Sequence, residues 1–292
     1  HIEEMYKDER NKLKTVTFYG EEASGPTVAL AQMNMYIHGI THTQAKLMQG
    51  DTLLYPKFKE SGATKKFDVV IANPPWNQDG YGEDVLKKGD DWENRFSFGP
   101  VPNQSADWAW IQHMLASSKD KNGRVAVVLD SGALFRGGKE QKIRKDFIEK
   151  DLIETVILLP EKLFYNTGAP GIIMVLRKNK PEDRRDKILI INASEQFEKH
   201  EDVRKLNQLT EKNIAAITAA YDGFLKKKDL SRPVPKNEIA KNDYSLNVTL
   251  YVAKEEEVED IDLDAVWKEI KALGAELEKK EKKIEGYLKE IK

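Results

Sequence analysis

In residues 68–76, Asp-Val-Val-Ile-Ala-Asn-Pro-Pro-Trp, an apolar strand pattern ends abruptly on an amide, two prolines and an indole. Active groups in α/β sheets gather where strands end at their carboxyl edge. A residue before proline is driven to extended geometry, so Pro74 fixes the backbone of Asn73, and Pro75 fixes that of Pro74. Neither proline carries an N–H, so no local donor competes for the nearby carbonyls. The outcome is a rigid corner with two acceptors, the Asn73 side-chain oxygen and a backbone carbonyl, beside the flat face of Trp76.

Two fixed acceptors next to an aromatic face suit a planar ring that bears an amino group. The nitrogen of such a group is a poor nucleophile because its lone pair is delocalised into the ring. Acceptors that bind both amino hydrogens outside the ring plane favour a tetrahedral nitrogen and free the lone pair. Fixed dipoles then stabilise the transition state, and no strongly basic side chain is needed. Two requirements remain: an electrophile held in line, and a route for a base into the pocket. A proline turn after a buried strand, with Trp76 filling the core, is the competing reading of the same residues.

The elements that must position this corner follow from periodicity. Residues 15–19, 46–50, 67–72, 124–130, 152–159, 171–178 and 187–192 read as strands. Helical patterns lie between them, at 23–38 (Ser24 as N-cap, Pro26 in the first turn), 104–118 and 138–150. Strands alternating with helices predict a mainly parallel sheet covered on both faces. The link 160–170 between the strands 152–159 and 171–178 is short and broken by Pro160, Gly168 and Pro170, too short for a crossover helix, which predicts an antiparallel strand there. Further on, helices are expected at 201–206 and 211–227, a proline-rich connector at 231–240 and a strand at 247–252. In the tail, Leu263, Val266, Ile270, Leu273, Leu277, Ile284 and Ile291 fall on three- and four-residue steps, interrupted by Lys280. That is a single apolar seam on a long helix, suited either to its own domain or to a partner helix.

Composition removes several chemistries. The 292 residues contain no cysteine, which excludes disulfides, thiolate zinc sites and cysteine nucleophiles. His1, His38, His42, His113 and His200 show no metal-ligand spacing, so no metal is expected. No apolar run is long enough to span a bilayer, and the cytoplasm is the expected compartment. The net charge is −2. The tail from Lys254 holds 9 basic and 13 acidic residues, which leaves the remainder at only +2. A chain that bound specific duplex DNA alone would show a stronger cationic face.

The corner Asn73-Pro74-Pro75-Trp76 resembles motif IV of amino-group DNA methyltransferases, and other stretches fall into that family's order. Residues 18–40 (FYGEEASGPTVALAQMNMYIHGI), 49–53 (QGDTL), 158–180 (LLPEKLFYNTGAPGIIMVLRKNK) and 242–252 (NDYSLNVTLYV) are similar to segments of the modification subunit of type I restriction-modification systems. Such subunits are S-adenosylmethionine-dependent adenine-N6 methyltransferases. The resemblance implies an α/β, Rossmann-like class I methyltransferase sheet with an antiparallel last strand pair and a C-terminal helical extension. It implies a catalytic domain over 1–195 and a C-terminal region over 196–292, with the amphipathic helix at about 262–291.

Residue roles carry over where the motifs match. The resemblance makes Asn73, Pro74, Pro75 and Trp76 catalytic. It places Phe164 on the other face of the flipped adenine, so that Trp76 and Phe164 sandwich the base. Glu22, with Glu21 as its neighbour, is the acid that binds the cofactor ribose. Asp51, followed by Thr52, faces the cofactor adenine. Asp107 and Trp108 fall where residues help line the cofactor pocket. Without the resemblance, these acids read as helix caps or turn residues.

The glycine-rich motif I has no counterpart, while residues 1–15 look like the helix that follows it. In this fold the motif I strand is central, so its loss leaves two facing rows of backbone groups unpaired. The chain, which begins with His1, is therefore expected to be part of a longer protein; otherwise the strand must come from elsewhere or the cofactor site is crippled. The resemblance also implies partners: double-stranded DNA, a specificity subunit (contacted through the C-terminal helix), a second modification subunit and a restriction subunit. Three other readings stay open. They are a protein-glutamine N-methyltransferase, an N4-cytosine methyltransferase and a non-catalytic assembly fragment.

Overall fold

The structure, a computed structural model, describes residues 16–253 and 263–290, with side chains of the last helix described over 266–284. Residues 1–15, Asp262 and Ile291, on which some of the expectations fall, lie outside the described residues, as does the Leu263 side chain.

The chain runs β1 (Phe18–Glu22), α1 (Gly25–Ile37), β2 (Ala45–Gln49), a β3–β4 hairpin (Lys59–Glu60, Ala63–Thr64) and β5 (Val69–Ala72). Two single turns follow, α2 (Glu83–Leu86) and α3 (Trp92–Arg95), then α4 (Asp107–Ala116), β6 (Arg124–Asp130) and α5 (Lys139–Glu149). Next come β7 (Ile153–Leu158), β8 (Gly171–Leu176), β9 (Lys187–Asn192) and a small β10–β11 hairpin (Glu198–Lys199, Asn207–Gln208). The sequence ends with α6 (Glu211–Gly223), β12 (Ser231–Pro235), α7 (Lys236–Lys241) and α8 (Leu263–Glu290).

Six strands form one sheet in the order β12-β9-β7-β8-β6-β5. β5 and β6 are parallel, and β8 inserts antiparallel between β6 and β7, the arrangement the short 160–170 link requires. Alternation along β6 buries Val125, Val127 and Leu129 against α4 and α5, where Ile111, Leu115, Ile143 and Phe147 complete the core. On the opposite face Ile157, Leu189 and Ile191 meet Ile217 and Ala220 of α6. The centre of the sheet is thus covered on both faces, but the sheet is mixed rather than mainly parallel: β5-β6 and β7-β9 pair in parallel, while β8 and β12 pair antiparallel with their neighbours.

β1 and β2 pair with each other, in parallel, as a separate two-stranded sheet. Among the described residues no strand fills the place between β1 and β5, where the first strand was expected. Val69 and Ile71 of β5 are 60% and 73% exposed despite their apolar side chains. The two sheets are nonetheless tied together at both ends. Tyr19 of β1 packs on Phe67, ahead of β5, with ring centroids 5.0 Å apart. At the carboxyl end, Tyr81 bonds to Asp51 at 2.9 Å.

Local chemistry explains where elements begin. The Ser24 side chain accepts the Thr27 N–H and caps α1, with Pro26 in the first turn. Thr210 and Asn213 close a reciprocal capping box on α6. That helix stops at Gly223, because Phe224 adopts left-handed backbone (φ 44°), rather than continuing to 227 as expected.

Three other expectations are corrected. Residues 201–206 form the turn of the β10–β11 hairpin, not a helix. His200 Nδ1 accepts the N–H groups of Asp202 and Val203, which fixes the turn. Residues 247–252 form a single 3₁₀ turn rather than a strand, because the Asn247 side chain accepts the Thr249 N–H and starts a turn. The proline-rich stretch 231–235 is a strand after all. β12 lies antiparallel to β9 at the sheet edge, the one place a strand tolerates Pro233 and Pro235.

The chain divides into two compact units after Ala253. The first therefore includes β12, the border strand of the sheet, and α6, which covers one face of it. The second contains α8. Along α8, Val266, Ile270, Leu273, Leu277 and Ile284 are exposed in the expected seam, joined by Trp267. Lys280 pairs with Glu276 and Lys282 with Glu278, each one turn away. No described helix is long and apolar enough to cross a membrane.

Candidate active site

The carboxyl end of β5 delivers Asn73 directly into the proline corner. Pro74 is buried, whereas Asn73 and Pro75 are exposed. The Trp76 indole N–H donates to the Asn73 side-chain oxygen at 3.0 Å. The loop between β7 and β8 brings Phe164 against Trp76, with ring centroids 4.9 Å apart and planes at 76°. The two aromatics that the sequence assigns to one pocket therefore meet, but edge to face. A base between them needs ring planes about 7 Å apart, two van der Waals contacts of about 3.5 Å.

The corner is anchored from behind by residues that sequence reasoning missed. Asn77 follows Trp76 with φ 51°, a left-handed conformation that Asn tolerates better than most residues. Its N–H donates to Asp107 Oδ1 at 3.0 Å, and its side-chain oxygen accepts from Arg136 at 2.8 Å. Arg136 also donates to Asp107, to Glu140 at 2.6 Å, to Asp130 at 3.2 Å and to the Ser105 hydroxyl at 3.1 Å. One guanidinium thus links the corner to α4, to the end of β6 and to α5. Burial works against its charge, but Glu140 and Asp107 outweigh burial and hold its pKa above the ordinary value. Asp107 is part of this anchor. Trp108 is fully buried, donates to the Ala133 carbonyl at 3.1 Å and packs on Phe147 in the core.

The acids expected to face a cofactor end β1 and follow β2. Glu22 is exposed, and one of its oxygens accepts the Ser24 N–H at 2.8 Å. Glu21 turns the other way, toward the 50–57 loop, where its Oε2 accepts the Lys57 N–H at 3.0 Å. Its Oε1 is buried with no hydrogen-bond partner, and burial pushes its carboxyl pKa up. Asp51 Oδ1 accepts the N–H groups of Leu53 and Leu54, both at 3.1 Å, while Oδ2 accepts from Tyr81. Burial, then Asp51, raises the Tyr81 hydroxyl to about 12, so it stays a donor.

The loop after β2 is itself clamped. Arg95, 1% exposed, donates to the carbonyls of Thr52 at 3.0 Å and Asp90 at 2.6 Å. It also faces His113 Nδ1 at 3.3 Å. Burial lowers the Arg95 pKa to about 10, and burial plus Arg95 lowers His113 to about 3, so His113 is a neutral acceptor. Among the described residues no group of three or more His, Asp or Glu could hold a metal.

This donor set fits the nucleoside half of S-adenosylmethionine. Carboxylates at the ends of two adjacent parallel strands can accept from ribose hydroxyls and from an adenine amino group. Glu22 keeps an oxygen outside its capping bond. Asp51 can share the oxygen that Tyr81 meets, because a carboxylate oxygen accepts more than one bond.

Comparison with known proteins identifies the family. The sequence profile of the family N-6 DNA Methylase matches residues 1–260. The type I restriction enzyme MjaVIII methylase subunit of Methanocaldococcus jannaschii is 49% identical over 280 residues, covering 94% of this chain and 48% of that protein. The chain thus spans about half the length of the curated relatives it matches. The crystal structure of a type I restriction-modification system methyltransferase subunit from Streptococcus thermophilus superposes with TM-score 0.73 at 34% identity, over 82% of this chain and 49% of that one. A class I S-adenosylmethionine-dependent methyltransferase from Listeria monocytogenes shares the fold at TM-score 0.50 and 21% identity, over 77% of this chain and 59% of that one. Because the family profile spans residues 1–260 and relatives reach 49% identity over 94% of the chain, the chain belongs to the N-6 DNA methylase family.

Proposed function

We propose that this chain carries the base-binding part of a type I restriction-modification methylase subunit, which methylates the N6 amino group of a flipped-out adenine in duplex DNA. The observation that carries the reading is the meeting of Trp76 and Phe164 at the carboxyl end of β5, beside the Asn73 oxygen. S-adenosylmethionine supplies the electrophilic methyl group when bound. Glu22, Asp51 and Thr52 would hold its nucleoside half.

The chain's own groups act on the amino nitrogen. Trp76 and Phe164 part and stack on the two faces of the adenine, which offsets part of the cost of leaving the duplex. The Asn73 oxygen has two lone pairs, so it accepts an amino hydrogen even while oriented by the indole. The Pro74 carbonyl, on a backbone fixed by Pro75, accepts the other. Held this way, the nitrogen turns its lone pair out of the ring plane. Arg136 and Asp107 keep the corner from moving while it does so.

Duplex DNA, a specificity subunit, a second modification subunit and a restriction subunit are the partners of this reading. The exposed seam of α8 is the proposed contact with the specificity subunit. The test is methyl transfer to duplex DNA by the full-length protein with its specificity partner, comparing wild type with Asn73→Ala. Loss of transfer is expected, and equal rates would overturn the assignment.

A further inference from the structure

Gly171 opens β8 at the point where the Trp76 and Phe164 rings meet. A methyl group on its Cα would stand 2.8 Å from Phe164 Cε2, 3.2 Å from Phe164 Cζ and 3.0 Å from Trp76 Cη2. Carbon atoms pack at about 3.5–4.0 Å, so the site has no room for a side chain. The backbone does not demand glycine here, since Gly171 is absent from the residues with positive φ. The residue cannot retreat either. It is buried, pairs with Asp130 in β6, and its carbonyl accepts the Leu159 N–H at 2.9 Å. Any added atom must therefore be absorbed by the two rings.

We propose that Gly171 is the floor of the adenine pocket and a positioning residue for both of its aromatic walls. The proposal rests on the adenine-methyltransferase reading and deepens it. The bare Cα lets both rings descend to the level of the Asn73 oxygen. When they part for a base, the same Cα lies under the purine edge and sets its depth. A side chain here lifts the rings or the base away from the acceptors. Misplacement by under 1 Å costs about 10- to 100-fold in turnover.

The experiment uses the full-length protein with its specificity partner and two duplexes: one with adenine at the target, on which turnover is measured, and one with 2-aminopurine there, which lacks the 6-amino group but whose fluorescence rises when the base leaves the stack. Gly171→Ala is expected to lower kcat about 10- to 100-fold, leave KM for S-adenosylmethionine unchanged, and change the 2-aminopurine signal. Gly168→Ala, where nothing lies within 4 Å, is the control and should behave as wild type. The deciding variant is Gly171→Ala combined with Phe164→Leu, because leucine vacates the space the new methyl group needs.

If the floor is real, the double variant recovers 2-aminopurine signal relative to Gly171→Ala, and the two effects are not additive. Additive effects, or a Gly171→Ala protein with wild-type rate and signal, would overturn the proposal. If Gly171→Ala alone does not fold, rescue of folding by Phe164→Leu supports the contact, and failure of both variants to fold refutes it. Asn73→Ala separates the two levels. If it is active, the whole adenine reading falls; if it is inactive while Gly171→Ala is unaffected, only the floor falls.

Discussion

The indole N–H of Trp76 and the side-chain oxygen of Asn73 are hydrogen-bonded at 3.0 Å, so the ring proposed to stack on the base and the oxygen proposed to accept its amino hydrogen form one bonded pair. The bond pins the amide with its oxygen toward the pocket. The oxygen's second lone pair stays available for another donor while this bond is made. This coupling sets the first expectation.

Trp76→Ala removes a stacking surface worth about 1–3 kcal/mol per base and should slow single-turnover methyl transfer about 10- to 100-fold. Trp76→Phe keeps a stacking face and drops only the indole donor. It should therefore retain most of the rate. Equal losses in the two variants would show that the hydrogen bond matters more than the ring.

Arg136→Met leaves the buried carboxylates of Asp107 and Glu140 without their cation. Removing one partner of a buried ion pair costs about 3–5 kcal/mol. For a unit of this size that corresponds to a fall in Tm of roughly 6–20 °C, read by thermal unfolding. Arg136→Lys should recover part of it only, because an ammonium cannot make the forked set of bonds.

His113 gives stability an acid-sensitive limb. Burial, then Arg95, holds its folded pKa at about 3, against 6.5 in an exposed imidazole. Between those values the unfolded chain binds a proton that the folded chain refuses. Stability is therefore fully present above pH 6.5 and is lost as pH falls toward 3, at about 1.4 kcal/mol per pH unit for one proton. His113→Asn keeps an acceptor for Arg95 and does not titrate. Its Tm should fall less steeply over this range than that of wild type.

Tyr81→Phe cuts the tie between the loop after β5 and Asp51 in the loop after β2. The net loss of one hydrogen bond, about 0.5–1.5 kcal/mol, should weaken S-adenosylmethionine binding by up to about tenfold in calorimetry on the full-length protein. Asp51→Ala should lose more, because it also frees the Leu53 and Leu54 N–H groups. Matching affinities in Tyr81→Phe and wild type would remove Tyr81 from the site.

Deletion of residues after 258 removes α8 from a chain whose first compact unit ends at Ala253. Co-purification with the specificity partner should be lost while the thermal unfolding of the remainder stays unchanged. Retained co-purification would place the contact elsewhere, and a lower Tm would mark α8 as a brace.

Much of this was legible in the sequence because the signals were local. β-branched runs marked β5 to β9, Ser24 and Pro26 marked the start of α1, and a proline-broken link marked the antiparallel β8. The misses have physical reasons. Pro233 and Pro235 argue against a central strand, and only the sheet itself reveals that β12 is an edge. Asn247 and His200 redirect their segments through single side-chain bonds that periodicity does not register.

In the candidate site, Asn73, Trp76 and Phe164 could be named because each sits in a recognisable stretch. Arg136, Tyr81 and Gly171 could not. Arg136 matters through five partners scattered from Asn77 to Glu140, Tyr81 through one contact with Asp51, and Gly171 through what it lacks. Such roles depend on approach in space, and a single sequence carries no mark of them.

The prolines of β12 have a consequence for how the sheet can grow. Pro233 and Pro235 are two residues apart, so both turn their nitrogens to the same side of the strand, away from β9. A further strand arriving there would meet carbonyls with no matching N–H groups, and that border is closed to recruitment. β5, at the opposite border, keeps every donor and shows Val69 and Ile71 to solvent. Among the described residues, a further strand can therefore join the six-stranded sheet beside β5, the strand that leads into Asn73, and not beside β12.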